Sequence, residues 1–110
     1  MDKVEILQVH TLAGSYVHMQ DAYFVDQNEI GTWTLIGYKE PVSKNFEYSG
    51  STATSGKTWI AVAQFDTDDC ESNEWSVETN KDATGKTIVY QASDNCPALT
   101  PNFKNIGTSN

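Results

Sequence analysis

Five acids fall within the nine residues Asp66-Thr67-Asp68-Asp69-Cys70-Glu71-Ser72-Asn73-Glu74. Carboxylates packed this closely along a chain suit a hard cation such as Ca²⁺, which takes six to eight oxygen ligands. They equally suit a solvated turn that keeps a sheet edge from pairing with its neighbours. Asp66, Asp68, Asp69 and Glu71 are the candidate Ca²⁺ ligands. Neither the spacing nor a turn glycine of an EF-hand accompanies them, so the solvated turn stays open beside the metal, and no other cofactor is expected. From residue 66 to 82, seven acids face one lysine, Lys81. Such a patch is suited to pair with Lys39, Lys44 or Lys104 of a neighbouring copy.

Cys70 and Cys96 are the two cysteines. Both sit in polar, turn-rich sequence (DTDDCESNE and ASDNCPALTP), which favours a disulfide over two buried free thiols. Closing a loop of about 27 residues would stabilise the fold by roughly 3.5 kcal/mol in the chain-entropy picture. It would also place the mature protein outside the reducing cytosol. Two cysteines cannot hold zinc without histidines, and His10 and His18 lie far away in the first segment. Those two are about 80° apart around a helix and too distant along its axis to share a metal, which wants i, i+4 spacing.

Nucleophilic catalysis finds no support, because no Gly-x-Ser-x-Gly elbow occurs. Ser55-Gly56-Lys57-Thr58 ends like a phosphate-binding loop, but Gly50 lies six residues before Gly56 rather than five. The strand-to-helix context is absent as well. The chain is therefore expected to be non-enzymatic. Trp33, Trp59 and Trp75 could stack on sugar rings. Trp59 and Trp75 alternate with other apolar residues and read as core, leaving Trp33 as the candidate ligand-stacking residue for a polysaccharide or another surface ligand.

At 110 residues the chain is one domain, expected over 1–110. Apolar residues are 38% and charged residues 20%, a globular composition. All seven basic residues are lysine and the net charge is −8. That balance opposes nucleic-acid binding, which needs clustered cations to displace counterions, and opposes anionic membrane surfaces. No run approaches the ~20 apolar residues of a membrane span, and the start lacks the pattern of a secretory signal.

The elements that must position these residues follow from periodicity. Residues 2 to about 27 place Ile6, Val9, Leu12, Ala13, Tyr16, Val17, Met19, Tyr23 and Phe24 on one helical stripe, interrupted near its axis by Glu5 and Gln20. Thr11, Gly14, Ser15, His18 and Asp21 lie opposite. Val4 and Leu7 point away from the stripe near its start, so that end expects a second partner; with Thr11 and Gly14 they are the candidate subunit-packing residues. Gly14 costs the helix roughly 1 kcal/mol relative to alanine. Gly31 is the expected terminator. Residues 28–44 form a connection anchored by Trp33, Ile36 and Tyr38, with a helical turn or a short strand equally compatible. Residues 45–92 hold four strand candidates, 45–49, 58–66, 74–79 and 86–92, with short connections that favour an antiparallel meander. Residues 93–110 are expected to be an ordered extension pinned by Leu99, Phe103 and Ile106.

A long amphipathic helix, an irregular connection, a four-stranded antiparallel sheet and a disulfide-bounded C-terminal region together resemble the type IV pilin family. AGSYVHMQDAYFVDQNEIGTWTLIGY is similar to the helix exit of bacterial pilins, with Ala22-Tyr23 ahead of the turn containing Gly31, and CPALTPNFKNIG is similar to a pilin C-terminus. The resemblance implies a pilin-like α+β fold. It also implies a structural role as a subunit of an extracellular surface filament serving adhesion, motility or uptake. The family's basic leader and its Phe-Thr-Leu-Ile-Glu opening have no counterpart here. On that resemblance this is the soluble headgroup with its membrane half-helix removed: monomeric as it stands, and, at full length, held in the inner membrane before joining a helical filament. The related pseudopilins of type II secretion typically hold calcium and lack the disulfide, so Cys70 and Cys96 favour the pilin. A small secreted carbohydrate-binding module is the alternative from another class.

Overall fold

The alternation of Trp59, Ala61 and Ala63, and of Trp75, Val77 and Thr79, becomes the buried face of a sheet in the computed structural model of the chain. The structure describes residues 3–64, 70, 72–93, 103 and 106, with the backbone alone for 3–7. Four strands run β1 (Phe46–Ser49), β2 (Gly56–Ala63), β3 (Glu74–Lys81) and β4 (Ile88–Ala92). Each pairs antiparallel with the next, in the order β1-β2-β3-β4, so the sheet is a meander. Helix α1 (Lys3–Gln27) packs on it, and a one-turn helix α2 (Trp33–Ile36) occupies the connection. The fold is α+β, one helix layer on one antiparallel sheet.

Helix α1 has 25 residues, about 37 Å at 1.5 Å per residue. That length is comparable to the 40 Å longest extent of the molecule. Val9, Ala13, Tyr16, Val17, Gln20 and Phe24 are buried, the three- and four-residue steps of one helical face. Met19, expected on that stripe, is 37% exposed at its margin. Phe103 and Ile106 are buried in the same core, Phe103 with its ring 6.3 Å from Trp59 and 6.1 Å from His10. Leu99 and the rest of the expected extension lie outside the described residues.

The helix ends by a different device from the one expected. Asn28, not Gly31, takes the left-handed conformation (φ 56) and donates its amide to the Phe24 carbonyl at 2.7 Å. Asparagine tolerates that geometry better than most residues. Gly31 serves packing instead. A Cβ there would sit 2.8 Å from the Tyr23 ring and 3.0 Å from Ile36, so the chain passes under Tyr23 where only a hydrogen fits. Of the two readings left open for the connection, the helical turn is observed. Thr32 caps α2, its hydroxyl accepting from the Leu35 amide, and Gly37 (φ 81) closes it.

The β2–β3 register shifts between Lys57 and Trp59. A bulge of this kind lets two consecutive residues point the same way, and Thr58 and Trp59 are both fully buried. Simple alternation would have sent Thr58 to the far face, where Ile60 and Val62 are half-buried.

Candidate functional site

What faces outward on α1 depends on what holds its inner face. A chain of polar side chains crosses the helix–sheet boundary. Gln20 Nε2 donates to the Tyr16 hydroxyl (2.9 Å), which donates to Thr58 Oγ1 (2.6 Å), which donates to Thr79 Oγ1 (2.7 Å). Gln20 also clasps the connection: its amide nitrogen donates to the Gly31 carbonyl (3.0 Å), and its Oε1 accepts from the Gly31 amide (2.8 Å). Farther along, Trp59 Nε1 donates to the Tyr38 hydroxyl, which donates to the Leu12 carbonyl, both at 3.1 Å. Tyr90 donates to Asp21 Oδ1 at 2.7 Å, with the Val17 carbonyl 3.3 Å away. Among the described residues no buried side-chain donor or acceptor lacks a partner. Directional bonds fix rotation and register in a way that apolar packing alone does not.

Burial pushes the Tyr38 hydroxyl up to about 12, against the opposing effect of the Trp59 hydrogen bond. Burial and then the Asp21 hydrogen bond raise Tyr90 further. Both phenols favour the neutral form in the fold, so their contribution is complete below the unfolded tyrosine value near 10 and is lost as pH rises above it. Urea midpoints are expected to fall steadily from about pH 10 upward. Tyr38→Phe, less stable at neutral pH, should show a shallower fall. A midpoint that stays flat between about pH 9.5 and 11.5 would remove this account.

With the inner face fixed, Thr11, Ser15 and His18 are exposed and Gly14 is half-buried between them. Among the described residues, a Cβ on Gly14 would meet nothing within 4 Å. The outer face around Gly14 is thus polar, with open space over the glycine. Val4 and Leu7, expected to extend it, have side chains outside the described residues.

The other expected sites fare differently. Trp33 is corrected. It is 2% exposed, its Nε1 donates to the Thr58 carbonyl at 2.9 Å, and its ring stands edge-on to Tyr38 with centroids 5.1 Å apart. A ring so enclosed cannot be offered to a sugar. Trp59 and Trp75 are both fully buried, so none of the three tryptophans forms a stacking platform. Asp66, Asp68, Asp69 and Glu71 lie outside the described residues, so the Ca²⁺ reading stays where the sequence left it. Among the described residues no group of His, Cys, Asp or Glu is gathered to hold a metal. Glu74, at the end of the acidic run, pairs with Lys57 at 2.7 Å. That exposed pair contributes under about 1 kcal/mol. Cys70 is half-buried against the core and disulfide-bonded; Cys96 lies outside the described residues. Among the described residues no helix is long and apolar enough to cross a membrane.

Sequence reasoning missed Gln20, Gly31 and Thr58 as a linked set. The one available signal was the Gln20 amide interrupting the apolar helical stripe, an interruption it shares with Glu5. Comparison of the chain with protein-family models, curated proteins and solved structures gave no match.

Proposed function

We propose that this domain is the soluble headgroup of a type IV pilin-like filament subunit, a non-catalytic building block that acts outside the cell. The observation that carries the reading is the two-sided use of α1. One face is bolted to the sheet by the Tyr16, Gln20, Tyr38 and Tyr90 hydrogen bonds. The opposite face presents Thr11, Gly14, Ser15 and His18 with open space over the glycine. Glycine in a helix interior is destabilising, so its presence where no described residue would touch a Cβ is accounted for by a neighbour's helix approaching there. The resemblance of the helix exit and of the C-terminal sequence to pilins points the same way. Cys70's disulfide favours the pilin over the pseudopilin, and the buried tryptophans disfavour a carbohydrate-binding module.

Gly14 separates assembly from folding. Gly14→Ala is expected to stabilise the isolated domain by up to about 1 kcal/mol, because alanine is the better helix former and finds free space. Gly14→Trp should leave the isolated domain folded and prevent filament formation by the full-length protein, read by sedimentation and electron microscopy. Wild-type filament yield from Gly14→Trp would sink the proposed packing. The coding sequence is an independent check. A short basic leader followed by about 20 mostly apolar residues upstream of Asp2 supports the reading. A natural start at Met1, or an ordinary cleavable signal ending there, rejects it.

A further inference from the structure

The end of the molecule where α1 stops carries a groove that filament packing along the helix does not use. It is an open, shallow groove of about 540 Å³ lined by Glu29, Ile30, Leu35, Thr54, Ser55 and Lys81. That lies within the range of small-ligand sites. The segment carrying Glu29, Ile30 and Leu35 is tied to the rest of the fold. Asn28 turns the chain, Gln20 clasps Gly31, and α2 is tied down by the Trp33 amide on the Ser51 carbonyl (3.0 Å) and the Trp33 indole on the Thr58 carbonyl (2.9 Å). Leu35 is nevertheless 59% exposed. It is an apolar side chain held out in a fixed position, not part of a frayed end.

The two charged residues decide the ligand class. Lys81 has its ammonium 6.0 Å from the centroid of the Phe24 ring, and neither Lys81 nor Glu29 has an ion-pair partner among the described residues. An occupant that covered them without bringing charges would strip water from both at a cost. A simple anion would meet Glu29, and a simple cation would meet Lys81. We propose that the groove binds a small zwitterion with an apolar body, of the class of a free apolar dipeptide. Its carboxylate pairs with Lys81, its ammonium with Glu29, and its side chains lie on Ile30 and Leu35, with the Thr54 and Ser55 hydroxyls at the rim. This site stands apart from the filament reading and survives or fails without it.

The test is amide NMR titration of isotope-labelled protein with leucyl-leucine, alongside N-acetyl-leucyl-leucine and leucyl-leucinamide. Expected are saturable shifts at Ile30, Leu35, Thr54, Ser55 and Lys81 with a dissociation constant of order 1 mM, as an open site allows. Each blocked peptide should bind at least about fivefold more weakly, roughly 1 kcal/mol. Glu29→Gln should erase the preference for a free amine while keeping that for a free carboxylate, and Lys81→Gln should do the reverse. Both residues are exposed, so both variants should keep the fold, checked by their unperturbed core resonances. Equal binding of the blocked peptides, shifts confined to other surfaces, or no saturable shift up to about 20 mM each overturns the proposal.

Discussion

Gly50→Ala is expected to cost about 3 kcal/mol or more, the largest loss expected from a glycine-to-alanine change among the described glycines. Two effects act together. Gly50 sits at φ 102, a conformation alanine adopts only under strain. A Cβ there would also lie 2.6 Å from the Thr58 carbonyl oxygen and 2.7 Å from its carbon. Those atoms are backbone and cannot rotate aside. The same Thr58 carbonyl accepts the Trp33 indole, while Ser51, next to Gly50, accepts the Trp33 amide. Any shift that relieves the clash therefore pulls on both bonds that tie α2 to the sheet. Gly85→Ala is the control. Its φ is 71 but no described residue lies within 4 Å of a Cβ, so only the conformational cost of about 1–2 kcal/mol remains. Urea denaturation of both variants checks this. Equal losses would mean that the contact with Thr58 contributes nothing.

The gap between those glycines shows why some of the fold was legible in the sequence and some was not. Period-two alternation depends only on the chain's own pleat, so β2 and β3 could be located from Trp59, Ala61, Ala63, Trp75 and Val77. The buried face of α1 was legible for the same reason. Features that depend on a partner distant in sequence were not. Gly31 and Gln20 are 11 residues apart, and Tyr16 and Thr58 are 42 apart. Nothing in either local segment announces the other. The bulge at Lys57–Trp59 breaks the alternation that would otherwise have placed Thr58. Trp33 misled because TWTLIGY has no clear period. Its ring packs against Tyr16 of α1 and Tyr38, and it is tied to the Ser51 and Thr58 carbonyls of the β1–β2 hairpin.

The outer face of α1 was legible as a face, because helical geometry assigns Thr11, Gly14, Ser15 and His18 to the side opposite the core. The groove at the other end was not, because its lining comes from segments distant in sequence, 29–35 and 54–55 together with Lys81, the nearest two being 19 residues apart. They meet only because Gln20 and Trp33 fix the connection against the sheet. The polar network that orients α1 also builds the groove, so disturbing its centre should reach both surfaces.

Gln20 is that centre. Gln20→Ala is expected to cost about 3–4 kcal/mol. The substitution strands the Gly31 amide and carbonyl and removes the donor to Tyr16, and it leaves a void at a fully buried position. Gln20→Met fills most of the void but satisfies none of the bonds, so it should recover only the packing part, about 1 kcal/mol. Gln20→Glu separates shape from hydrogen bonding. The carboxylate keeps the acceptor for the Gly31 amide but faces the Gly31 carbonyl and the Tyr16 oxygen with no donor, so burial raises its pKa. A group raised in the fold contributes most below its unfolded value, near 4.3 for glutamate, and loses that contribution as pH climbs. Gln20→Glu should therefore lie closest to wild type at about pH 4 and fall away toward neutrality, whereas the Gln20→Ala deficit should not change with pH over that range. Parallel pH profiles for the two variants would mean that the Gln20 amide fills space without clasping Gly31.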